Sequence, residues 1–185
     1  KRFSSSPGLS HSRPSPGPLS RACSVTNFAT CVQSVLAHEG EWSDHPDDRG
    51  SRTRWGISSR AHPEVDLERL TKAGAAELYR ENYWDRVRGD ELPAAVRQTI
   101  FDCAVNAGVA QSIKFLQRAC VAQGHPIIDD GVVGPLTLAA AAASDPVRLS
   151  AAMLGLRLAH MTELPSWISF GRGWARRVAQ HLTEI

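Results

Sequence analysis

From residue 26 onward the apolar residues recur at intervals of three and four, and no run of four or more alternates. That periodicity constrains the chain to helices that bury one stripe each, so the fold class expected is mainly α. Phe28, Cys31, Val32 and Val35 mark a first helix, with Thr26 as the expected N-cap. Further helices are predicted over 71–83 with Thr71 as N-cap, over 93–107 between Pro93 and Gly108, and over 110–123. The remaining ones are predicted over 135–143, 146–162 and 172–183. Between the first two helices lies the exception. Residues 40–58 hold Gly40, Pro46, Gly50 and Gly56 among Asp44, Asp47 and Asp48, which reads as a long loop with a short hairpin.

Composition narrows the function classes. The first 25 residues contain 8 Ser, 4 Pro and 2 Gly, a bias that cannot build a core, so they read as a disordered extension. They lack the apolar segment of a secretory signal. Lys1, Arg2, Arg13 and Arg21 give this stretch +4, whereas the other 160 residues carry −2. A dedicated nucleic-acid-binding core is therefore not expected, and DNA binding would rest on the tail alone. No stretch approaches the ~20 apolar residues of a membrane-spanning helix. Cys23, Cys31, Cys103 and Cys120 form no CxxC, and three of them fall on apolar helical faces, as buried reduced thiols would. His38, His45 and His62 do not form HExxH, because Trp42 occupies the second position, so no metal is expected.

The residues that suit chemistry cluster around the loop. Glu39 follows Val35, Val32 and Phe28 by 4, 7 and 11 positions, so it belongs to the apolar face at the C-terminal end of the first helix. Burial and the negative end of the helix dipole both disfavour its anion, the conditions of a general acid. Asp48 follows nine residues later and Thr53 five after that. An acid on a helix, an aspartate on a loop and a hydroxyl to hold water suit glycoside hydrolysis. Further along, Asp102 and Asn106 are i, i+4 and share a helical face; they either line a sugar cleft or tie the helix to the 40–58 loop. Tyr79, Tyr83 and Trp84 could offer ring faces to sugars or pack in the core. Asp129-Asp130-Gly131 and Gly134-Pro135 read as a turn whose glycines permit positive φ, followed by a helix start. Arg172, Arg176 and Arg177 read as a solvated helix face or a contact for acidic wall polymers.

Five ordered motifs resemble glycoside hydrolase family 108, the peptidoglycan-cleaving N-acetylmuramidases. They are HEGEWSDHPDDRGSRTRWGIS (38–58), ELYRENYWD (77–85), ELPAAVRQTIFDCAVNAG (91–108), FLQRA…DDGVVGPLTLAA (115–140) and GWARRV (173–178). Glu41, His45, Arg49, Ser51 and Arg52 depart from the family's loop pattern. The resemblance implies a lysozyme-like helical fold with a long functional loop after the first helix. It divides the chain into the extension 1–25, a catalytic region 26–108 and a helical peptidoglycan-binding-like region 109–185 packed on it. It implies hydrolysis of the β-1,4 bond between N-acetylmuramic acid and N-acetylglucosamine without a cofactor. Glu39 falls on the family's catalytic acid, with Asp48 and Thr53 completing the catalytic set; Asp47, Tyr83, Trp84, Asp102 and Asn106 are the candidate substrate-binding residues. A lytic transglycosylase and a catalytically silent wall-binding module are the alternatives. The partner expected is the peptidoglycan glycan strand, met by a monomer. The enzyme would be made in the cytoplasm and would reach the wall through a holin, a membrane export partner or lysis.

Overall fold

The computed structural model describes residues 26–43 and 52–185. Among the described residues there are seven α-helices and one small sheet. Helix α1 (Phe28–Glu39) starts one residue later than the sequence suggests. Its N-cap is Asn27, whose side-chain oxygen accepts from the Thr30 amide at 3.0 Å. Three two-residue strands follow, β1 (Trp42–Ser43), β2 (Thr53–Arg54) and β3 (Ile57–Ser58), in an antiparallel sheet of that order. The β2–β3 connection is Trp55-Gly56, with φ of 52° and 76°, the primed geometry that matches strand twist in a two-residue hairpin.

Helix α2 (Lys72–Tyr79) is capped by Thr71, as expected, and then widens into a single π turn at Arg80–Trp84. The wider turn is closed by the Asp85 amide donating to the Arg80 carbonyl. Helices α3 (Ala94–Ala107), α4 (Val109–Ala122), α5 (Pro135–Ala143) and α6 (Pro146–Thr162) fall within a residue or two of their predicted spans. Helix α7 (Trp167–Glu184) begins five residues before its prediction. Gly171 and Gly173 weaken the helical pattern there, yet Gly171 is needed: a Cβ on it would lie 2.6 Å from the Trp167 ring.

The elements close around two main cores that share α3. The first gathers Cys31, Val35, Leu36, Ile57, Tyr79 and Trp84 around Phe101. The second gathers Val96, Ile100, Cys103 and Ala104 of α3 with Leu116, Ala119, Leu149 and Met153 of α4 and α6. Each Val, Leu, Ile, Phe or Met side chain among them contributes roughly 1.5–3 kcal/mol when fully buried. Cys31, Cys103 and Cys120 are free, buried thiols; Cys23 lies outside the described residues.

Candidate active site

Helix α1 ends on Glu39, and Gly40 terminates it with φ 73°, a conformation that favours glycine. The chain then turns directly into β1. Glu39 is therefore tied to the sheet by two residues. Asp44, Asp47 and Asp48 lie outside the described residues. Thr53 lies in β2, paired with Ser43 on one side and Ser58 on the other. Partners in register share a sheet face, so Thr53 and Ser58 stand on the face opposite Ile57, which is buried in the first core.

The sheet is held by one cation that sequence reasoning passed over. Arg54 donates through Nη1 to the carbonyls of Leu67 (3.0 Å) and Glu68 (2.7 Å), and through Nη2 to Glu41 (3.2 Å). Its guanidinium also sits 4.9 Å from the Trp42 ring centroid, with that of Arg52 at 4.6 Å. The clue in the sequence is the alternation Arg-Thr-Arg-Trp, which puts both arginines on the face across from Thr53. The Tyr79 hydroxyl donates to the Trp55 carbonyl at 3.2 Å, which fastens the hairpin to α2.

The π turn sorts its residues. Trp84 is fully buried (0% exposed), edge-on to Phe28 and Phe101. Neither Trp84 nor the buried Tyr79 presents a ring to a sugar, which corrects the expectation that they might. Tyr83 and Asn82 instead line an open groove of ≈ 570 Å³ together with His62, Arg86, Gln111 and Lys114. Arg86 and Lys114 were not singled out from sequence, since lone cations on helices usually mark solvated faces.

Asp102 also departs from its expected place. It is 1% exposed, buried beneath α6 and α7 and not open to a cleft. Its carboxylate accepts from Arg157 Nη1 at 2.5 Å and Arg177 Nη2 at 2.5 Å, and His181 Nε2 lies 3.9 Å away. Burial opposes ionisation of Asp102, but the charges of Arg177, Arg157 and His181 outweigh it and hold the carboxyl below the usual range. Asp102 is thus a structural anion joining α3 to α6 and α7. This also removes Arg177 from the expected solvated face. Asn106 donates to the Asp102 carbonyl at 2.8 Å and borders a small cavity of ≈ 60 Å³ with Arg157, His160 and Trp174.

The Asp130 turn forms as the spacing suggests, with one correction. Gly131 has φ 78°, but Gly134 is extended at φ −99° as the N-cap of α5. Buried Gln117 organises the turn, donating to Asp130, Val132 and Thr137 and accepting from the Gly131 amide. Among the described residues no group of three His, Cys, Asp or Glu could hold a metal ion, and no helix is long and apolar enough to cross a membrane.

Residues 32–108 match glycosyl hydrolase 108, and residues 111–179 match a predicted peptidoglycan domain. The solved structure of Brucella abortus SagA is 35% identical, covering 85% of this chain and 92% of that one, with a TM-score of 0.75. The chain belongs to glycosyl hydrolase family 108. No match is found among curated proteins. As a family 108 protein with a wall-binding half, it is a glycoside hydrolase whose partner is peptidoglycan and whose place of action is the cell wall. Its helical architecture agrees with the lysozyme-like fold expected from the motifs.

Proposed function

We propose that the enzyme is an N-acetylmuramidase, cleaving the β-1,4 bond between N-acetylmuramic acid and N-acetylglucosamine. Glu39 is the general acid that protonates the leaving glycosidic oxygen. Asp48 stabilises the oxocarbenium-like transition state or activates water, and Thr53 positions that water. Asp47, Tyr83 and Asn106 contact the glycan strand. The observation that carries the reading is the two-residue link between Glu39, last residue of α1, and the sheet that holds Thr53. It matches what the chemistry asks for: an acid on a rigid helix and a hydroxyl on the next element. The 26–108 region supplies the catalytic groups and the 109–185 region adds wall contacts. The enzyme acts as a monomer after synthesis in the cytoplasm. It crosses the membrane through a holin or export partner, or is released by lysis.

The test is digestion of purified peptidoglycan by the wild type and by Glu39→Gln, with products read by mass spectrometry. Reducing muramic acid ends are expected from the wild type, and a rate lower by about 10²–10⁴-fold from the variant. Anhydro-muramic ends would reassign the enzyme as a lytic transglycosylase. Sedimentation with the wall and no cleavage would leave a silent binding module.

A further inference from the structure

The groove beside the π turn has a chemistry that a glycan strand alone does not explain. It starts at His62, whose amide donates to the Ser58 carbonyl of β3, so it leaves directly from the sheet that carries Thr53. It runs between Asn82, Tyr83 and Arg86 on one side and the first turn of α4 with Lys114 on the other. Beyond Arg86 and Ala110 it continues into a smaller depression of ≈ 240 Å³ bounded by Val132 and Val133. The first part carries both cations, and the second sets the side chains of Ala110, Val132 and Val133 beside Arg86.

The two cations are uncommitted. Among the described residues neither Arg86 nor Lys114 makes an ion pair, although Arg80, Arg88 and Arg118 on the same surface are each paired with a carboxylate. The acids that Lys114 influences, Asp129 and Asp130, are already engaged by Arg118 at 2.6 Å and Gln117 at 2.8 Å. Glu64, next to the groove-lining His62, is bonded to it at 3.2 Å. No side chain caps α4, whose first amides add to the positive field at the same place.

Peptidoglycan carries its negative charge in a defined part. The lactyl carboxyl of muramic acid is amide-linked to the peptide, so the glycan strand is neutral. The free carboxylates belong to the peptide stem, where they alternate with alanine methyl groups. We propose that this groove binds the peptide stem of peptidoglycan, its carboxylates on Arg86 and Lys114 and its alanine methyls against Ala110, Val132 and Val133. The inference rests on peptidoglycan being the substrate, and it makes the enzyme selective for stem-bearing glycan. The groove draws Arg86 from the hydrolase match and Lys114 from the wall-domain match, so the two stretches build it jointly.

The test is titration of the full chain with the N-acetylated stem tetrapeptide, Ala-γ-Glu-diaminopimelate-Ala, and with the same peptide amidated at its carboxylates. Arg86→Glu/Lys114→Glu should weaken binding of the acidic peptide by at least about tenfold, and the amidated peptide should bind the wild type as weakly. In digestions the double variant should raise KM on intact wall while cleaving glycan stripped of its stems with the wild-type KM. Three outcomes would overturn the proposal: no binding of the acidic peptide, equal binding by the double variant, or an equal KM increase on stem-free glycan. Failure of the muramidase reading would appear separately, as peptide binding without wall cleavage.

Discussion

A Cβ built on Gly89 would stand 2.5 Å from two ring atoms of Trp84. The absence of a side chain at 89 is what lets the indole lie flat beneath the short 3₁₀ turn at Gly89–Glu91. Gly89→Ala should therefore destabilise the fold by about 1–3 kcal/mol through overpacking. The shift in urea midpoint would measure it. Trp84→Phe in the same background should recover part of that loss, and a further loss would show that the ring is not the clashing group.

Asp102 is the anion to one buried and one half-buried cation, so its removal should cost more than its own bonds. Asp102→Ala leaves Arg157, which is 0% exposed, without a counter-charge. A loss of about 3–5 kcal/mol is expected. Asp102→Leu/Arg157→Leu should lose less than the two single variants summed, since no buried charge is then orphaned at that pair. Equal additivity would show that Arg177 alone sustains the carboxylate.

His181 supplies a pH dependence of known sign. Burial first, then the nearby Arg157 and Arg177, hold its imidazole below its ordinary value, while Asp102 and Glu184 pull the other way. The unfolded chain therefore takes up a proton that the folded chain refuses. Stability is full above pH 6.5 and falls as pH drops below it, by at most about 1.4 kcal/mol per pH unit. Asp102 adds a second loss at lower pH, once acid begins to protonate the carboxylate that folding keeps ionised. Thermal melts from pH 7.5 to 5 should show the first slope in the wild type and a flatter one in His181→Phe.

Arg54 positions the sheet without being asked to touch substrate. Arg54→Lys keeps the charge but cannot reach two carbonyls and Glu41 together. With Thr53 as its neighbour in β2, the expected signature is a kcat lower by about tenfold with KM little changed. A change in KM alone would place Arg54 in substrate contact instead.

Much of this was legible in the sequence, for identifiable reasons. Helix α3 announced itself because Pro93 and Gly108 punctuate a continuous apolar stripe, and Thr71 capped α2 as its position suggested. The sheet is legible only as a short hairpin within a long loop, since strands of two residues are too short to fix their register or number. The roles of Trp84 and Asp102 were not legible. A π turn shifts every following residue around the helix, so spacing alone could not say that half-buried Tyr83 edges the groove while Trp84 enters the core. The partners of Asp102 lie 55 and 75 residues downstream, beyond any local pattern. Glu39 and Thr53, the acid and hydroxyl proposed for the reaction, are readable as residue types, while Asp47 and Asp48 lie outside the described residues.

The Asp102 cluster also bears on how such chains can be inherited. Its carboxylate lies within the glycosyl hydrolase match, whereas both cations lie within the wall-domain match. A hybrid joined near residue 109 from unlike parents would bring an acid without its arginines, or two arginines without their acid. Either hybrid is expected to melt below both parents. The ion cluster therefore couples the stability of the two stretches, whatever their separate names.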